Sequence, residues 1–360
     1  MDHGRVPTSA KQALCLSIIF TSFLLTVSAQ EQAVRRSLTS AIGQRLELGI
    51  GDRRGSMLNG RRITWYRQAA EDGLIFKYFE MWLTQNWREQ WVGKQAGLRQ
   101  MASDGYTLVL VYYYFGDSIN KESVEAGLFA WYADCERLHR LIDIDRDVMV
   151  VIEPEFNKRA NYGTSINNWS GWNSAVIGAI ERIRGTNPHI KVGLCPGDFG
   201  EFNLQTSMSE SARYSDFVAF QELRGSTHPS SRSRSYRDVT ASALRYSDYL
   251  HRTFRLPVML AYFGVSSYDD SSGNDWSQLQ SNILSDVLSH IDDLENRGVF
   301  SVIYMAYYDD PQHDYSFFGE AERHFGLRDS SGAPKPAWYV WQAAANQIAK
   351  ASNAAQPYVR

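Results

Sequence analysis

Two glutamates, Glu153 and Glu155, close the apolar run Val148-Met149-Val150-Val151-Ile152, with Pro154 between them. Side chains two apart on a strand point to the same side, so this spacing aims both carboxyls at one place. A strand that is apolar on both faces belongs in a parallel sheet covered by helices, where chemistry gathers beyond the carboxyl ends. Paired carboxyls there suit general acid–base work. One is held neutral by desolvation or by its neighbour's charge and gives a proton, while a second carboxylate attacks carbon or activates water. Glycosidic cleavage needs such a pair. The structural alternative is a pair of rim acids bound to Arg or Lys.

The elements that must carry these groups recur along the chain. Apolar, β-rich runs occur at Leu46–Gly51, Leu74–Phe79, Thr107–Tyr112, Val148–Ile152, Lys191–Leu194, Asp216–Phe220, Pro257–Tyr262 and Phe300–Ala306. Amphipathic helical stripes separate several of them, as in Val176, Ile177, Ile180 and Ile183, or Leu279, Ile283, Leu284, Val287 and Leu288. Strict strand–helix alternation implies parallel strands with right-handed crossovers, and eight units at this length predict a single closed (β/α)8 TIM barrel. The expected organisation is a signal peptide over 1–29, a lead-in over 30–44, the (β/α)8 catalytic domain over 45–350 and a tail over 351–360. The segment Ser226–Ser235 is rich in serine and is expected as a loop over the site rather than a domain boundary.

In such a barrel the residues at the strand ends line one bowl. These are Glu80 and Trp82 after the second strand, Tyr113 after the third, and Glu153, Glu155 and Asn157 after the fourth. Asp198 follows the fifth, Gln221 and Glu222 the sixth, Tyr262 the seventh, and Tyr307 and Asp309 the eighth. The bowl is acidic and ringed with aromatics, and Trp82 and Trp169 are expected to stack on sugar faces or to pack beneath the loops. Asn157, Gln221, Tyr113, Tyr262 and Asp309 are expected to hydrogen-bond sugar hydroxyls.

Other chemistries have little support. The formal net charge is −3, and no basic cluster suggests a nucleic-acid partner. There is no G-x-G-x-x-G after the first strand, no P-loop, no G-x-S-x-G elbow, no H-x-H and no H-E-x-x-H. No metal site and no cofactor are expected. Arg5 and Lys11 precede an apolar run that ends at Val27-Ser28-Ala29, which reads as a cleaved secretory signal. The run is shorter than the roughly 20 residues needed to span a bilayer, so the expected product is secreted or periplasmic, free of the membrane and monomeric. Cys135 and Cys195 would remain, as one disulfide or as two buried thiols.

The order of parts resembles the (β/α)8 glycoside hydrolases of the large retaining clan that includes cellulases and β-mannanases. Glu155-Phe156-Asn157 is similar to the E-M-N of one bacterial endo-β-mannanase family, and this resemblance implies that Glu155 is the acid/base. Gly326-Leu327-Arg328-Asp329, followed by Gly332-Ala333-Pro334-Lys335-Pro336-Ala337-Trp338, is similar to the closing segment of those enzymes. The clan's nucleophile ends the seventh strand, but here Leu256–Gly264 carries no acid, and Ala261 or Tyr262 stands in that place. The second carboxylate is therefore expected elsewhere: first Glu222, then Asp198, Glu80 or Asp309. The expected function is hydrolysis of a poly- or oligosaccharide. A sugar-binding barrel without catalysis and a lyase or transglycosylase on the same fold are the alternatives.

Overall fold

The computed structural model describes residues 45–52, 57–58, 61–62, 71–73, 75–83, 95–158, 163–197, 204–225, 238–269, 274–313 and 318–355. Eight parallel strands close into a barrel: β1 (Glu47–Asp52), β2 (Tyr78–Leu83), β3 (Thr107–Tyr112), β4 (Val148–Ile152), β5 (Ile190–Leu194), β6 (Phe217–Arg224), β7 (Val258–Val265) and β8 (Val299–Tyr304). Each strand pairs with the next, and β8 returns to β1. The outer layer includes α1 (Gln95–Ser103), α2 (Lys121–Ile142), α3 (Gly171–Arg184), α4 (Val239–Phe254), α5 (Ser277–Ser289) and α6 (Pro336–Ala355). This is the (β/α)8 architecture expected from the apolar runs.

Strand alternation divides the apolar residues into two cores. Tyr78, Val109, Val111, Val151, Phe217, Ala219, Met259 and Ile303 fill the barrel interior. Their alternates, such as Phe79, Leu110, Val150, Ile152, Val218 and Phe220, pack outward against the helices. Fully burying each such side chain contributes on the order of 1.5–3 kcal/mol, so parity along a strand is strongly enforced.

Three local features differ from simple alternation or from the expected ends, and all three shape the mouth. β2 begins four residues later than the run Leu74–Phe79, so Glu80 and Trp82 lie inside the strand and share the inward parity of Tyr78. β6 continues past Phe220 to Arg224, which places Gln221 and Glu222 on opposite faces. β7 carries a register irregularity against β6 between Leu260 and Tyr262, and as a result both Ala261 and Tyr262 join the interior.

Candidate active site

The site begins where β4 stops. Glu153 and Glu155 both adopt left-handed backbone, with φ of 44° and 60°, on either side of Pro154. Such values cost of order 1–3 kcal/mol each in non-glycine residues and persist where surrounding structure enforces them. Here Glu153 N–H donates to Tyr112 O at 2.8 Å, and Glu155 N–H donates to Cys195 O at 2.8 Å. Phe156 is anchored in the outer core against Trp172, with ring centroids 5.3 Å apart. The turn ends the alternation that would have aimed the two carboxyls together.

The two glutamates consequently meet different surroundings. Glu153 is fully buried, and its Oε1 and Oε2 accept the backbone N–H groups of Tyr114 and Phe115 at 2.9 and 3.2 Å. Burial raises its pKa to about 8 against the pull of those two donors and of Lys158. Glu155 keeps 22% of its side chain exposed, and its Oε2 lies 3.7 Å from Lys158 Nζ. Lys158 also donates to Tyr113 Oη at 2.7 Å and pairs with Asp117, which in turn accepts from the Tyr113 hydroxyl at 2.7 Å. Glu155 acts electrostatically on Cys195, Tyr113 and Tyr262, all of which border the barrel interior.

A second acid lies on β2, which only β3 separates from β4. Glu80 is fully buried, with Trp82 Nε1–H donating to its Oε1 at 3.0 Å and no partner for Oε2 among the described residues. The carboxyl fits because β1 presents Gly51 beside it. A Cβ there would meet Met305 O at 2.7 Å and Glu80 Oε1 at 3.0 Å. Burial holds its pKa well above the usual carboxylate range, and only the indole N–H opposes this. An orphaned buried polar atom costs about 1–3 kcal/mol, so its retention calls for a reason. Trp82 packs edge-on against Tyr262 at 4.9 Å and Tyr113 at 6.2 Å, and Cys195 Sγ lies 3.9 Å from Tyr262 Oη. Cys195 feels both Glu80 and Glu155, which ties the two acids to one mouth. Gln221 is buried in the same interior parity, and its Oε1 also has no partner among the described residues.

The remaining expected site residues lie elsewhere or are already engaged. Glu222 is fully buried and ion-paired with Arg224, two positions along the same strand face. It pairs in register with the outward Phe263, so it does not converge with Glu155 in the bowl. The reason is parity: Phe217 and Ala219 face inward, which makes Gln221 inward and Glu222 outward. Glu153 likewise turns to the Tyr114–Phe115 backbone instead of sharing the space of Glu155. Asn157 gives its amide N–H to Gly197 O at 2.8 Å and accepts Gly197 N–H at 2.6 Å. Trp169 packs on the outer core, Tyr307 donates to Asp72 at 2.5 Å, and Asp309 binds Lys335 Nζ at 2.6 Å. Asp198 lies outside the described residues. Lys158 was not anticipated, although the spacing Glu155-x-x-Lys158 would have pointed to it. Cys135 and Cys195 are both free, buried thiols, one in each core. No three His, Cys, Asp or Glu side chains cluster to hold a metal among the described residues.

No family model matches this chain. No curated protein matches it either. Solved structures do share the fold. The Ignisphaera aggregans GH53 catalytic domain aligns with a TM-score of 0.56 and 13% identity over 86% of this chain and 93% of its own. A GH5_18 protein from Streptomyces cattleya, solved with GlcNAc, aligns with a TM-score of 0.60 and 14% identity over 88% of this chain and 82% of its own. A β-glucuronidase from an uncultured Clostridium sp. gives a TM-score of 0.59 and 11% identity over 85% of this chain and 50% of its own. The architecture is thus the (β/α)8 barrel used by these glycoside hydrolases, and identity at this level fixes the fold alone.

Proposed function

We propose that the protein is a glycoside hydrolase that cleaves O-glycosidic bonds of a poly- or oligosaccharide with two carboxyl groups, one of them Glu155. The observation that carries this reading is the placing of Glu155. Its carboxyl is partly open at the carboxyl-terminal mouth of a closed barrel, beside Lys158, Tyr113 and Tyr262. Catalysis on this fold comes from the ends of barrel strands, and hydrolysis of an acetal needs a carboxylate at that location. Trp82, partly exposed at the same mouth and packed edge-on against the buried Tyr262, supplies an apolar face for a sugar ring.

The activity is proposed to be exercised outside the cytoplasm, after removal of residues 1–29. N-terminal sequencing of the exported protein should then begin near Gln30. The enzymatic reading is tested by incubating the purified protein with a panel of polysaccharides and counting new reducing ends. The wild type should release them from at least one substrate, and Glu155→Gln should lose about 10²–10⁴-fold of that rate. A second reading, sugar binding without hydrolysis, draws on the inward pair Ala261 and Tyr262, which leaves β7 without an acid. Binding isotherms with no reducing ends from any substrate would establish it in place of the first.

A further inference from the structure

We infer that Glu80 is the proton donor of the reaction, and that Glu155 works with it as the anion; this assignment rests on the glycosidase reading above. The two carboxyls have contrasting surroundings. Glu80 sits in the barrel interior, roofed by Trp82, with no cation paired to it among the described residues. The groups facing it are the indole N–H of Trp82 on its own strand, the backbone around Gly51 on β1 and Met305 O after β8. From β5 comes the Cys195 thiol, itself bonded to the Tyr262 phenol of β7. Burial raises the thiol and the phenol as well, so among the described residues only the indole N–H of Trp82 offsets a negative charge on Glu80. Glu155 is partly open and has an ammonium group 3.7 Å away, which favours the anion. Two carboxyls whose environments push them apart in this sense suit a division of the acid and base roles.

The orphaned atom supplies the second, independent observation. A neutral Glu80 uses Oε1 to accept from Trp82, which leaves Oε2 as the hydroxyl with no acceptor among the described residues. A glycosidic oxygen would be that acceptor. The proton on Oε2 passes to the bridging oxygen as its bond to the anomeric carbon breaks. The electron pair of that bond stays on oxygen, and the leaving sugar departs as an alcohol. Water provides the hydroxyl of the new reducing end, and its remaining proton returns to the carboxyl pair, so atoms and charge balance. On β6 Gln221 Oε1, also buried and without a partner among the described residues, is left to accept from a sugar hydroxyl.

The test compares wild type, Glu80→Gln, Glu80→Asp and Glu155→Gln on the cleaved polysaccharide and on the dinitrophenyl glycoside of the same sugar. The dinitrophenolate leaves without protonation. Glu80→Gln should therefore lose 100-fold or more on the natural linkage, less than tenfold on the activated one, and the alkaline limb of its pH profile. Glu155→Gln should lose both activities. Glu80→Asp keeps the proton at shorter reach, so it should keep the alkaline limb at reduced rate. Infrared difference spectra of the whole protein at neutral pH give a readout that needs no turnover. A protonated-carboxyl band should be present in wild type and weakened in Glu80→Gln. Equal losses on both substrates, an intact alkaline limb in Glu80→Gln or an unchanged band would overturn the assignment alone. A wild type that hydrolyses no substrate would remove the glycosidase reading and the role of Glu80 with it.

Discussion

Glu153 and Glu80 are both fully buried carboxyls at one mouth, and burial raises both, yet their partners differ. Each oxygen of Glu153 accepts a backbone N–H, and the acid ties the β3 loop to the end of β4. Glu80 has one partnered oxygen and one without a partner among the described residues, packed so closely beside Gly51 that a Cβ there would lie 3.0 Å from its Oε1. A satisfied buried acid holds structure together, whereas an unsatisfied one keeps unused hydrogen-bonding capacity, which calls for a functional reason. Depth and a raised pKa therefore do not separate a structural carboxyl from a chemical one. The inventory of hydrogen-bond partners does.

The sharpest way to break this contrast is to remove the acids in turn. Glu155→Ala should lower kcat by about 10²–10⁴-fold while shifting unfolding free energy by no more than about 0.5 kcal/mol, because its carboxyl is partly solvated. Glu153→Gln should do the reverse. An amide has one acceptor where two N–H groups converge, and the stranded donor should destabilise the fold by about 1–3 kcal/mol in urea titrations. If Glu153→Gln kept its stability and lost activity on folded protein, the distinction would fail. Gly51→Ala belongs on the Glu80 side. A methyl group 2.7 Å from Met305 O must displace backbone or the Glu80 carboxyl. We expect a loss of about 1–3 kcal/mol in stability and a lower rate, in contrast to a neutral outcome if the space were slack.

The barrel itself was legible because eight apolar runs alternate with helical stripes, and burial on both faces leaves little else for such runs to do. The ends of strands were less so. Glu is depleted in strands, so Glu80 read as a loop residue after Phe79, whereas the glycine that makes room for it lies in another strand. The bulge that turns both Ala261 and Tyr262 inward leaves no mark in sequence, since any residue can occupy it. Counting alternation from Phe217 does place Gln221 inward and Glu222 outward. The expectation of Glu222 at the mouth treats the strand as ended at Phe220. For Glu153 and Glu155 the cue was Pro154, which cannot donate to a ladder and so marks the place where alternation stops applying.

The pH dependence of stability sharpens the comparison further. An unfolded carboxyl titrates near 4.5, whereas folded Glu153 does so at about 8, so between those values the folded protein holds a proton that the unfolded chain has released. The stability this contributes is complete below the unfolded value and is lost as pH rises through the folded one. Unfolding free energy should therefore fall with rising pH across this window, by at most about 1.4 kcal/mol per pH unit for one proton. Glu80 acts in the same direction. Glu153→Gln should flatten part of the slope and Glu80→Gln another part. A slope identical in all three proteins would mean that neither acid is protonated in the fold.

Lys158 should give the smallest effect, and it tests the anionic side of the mouth. Its ammonium lies 3.7 Å from Glu155 Oε2 and also engages Asp117 and Tyr113, so part of its charge is already compensated. The pair is partly solvated, which weakens it further. Lys158→Met should move the acidic limb of the pH profile up by about one unit and leave the maximal rate within about tenfold, because a carboxylate without its cation protonates more readily. The alkaline limb should stay in place, since it belongs to the buried Glu80. Movement of the alkaline limb instead would give Glu155 the proton and Glu80 the charge, a reversal that the burial of Glu80 argues against.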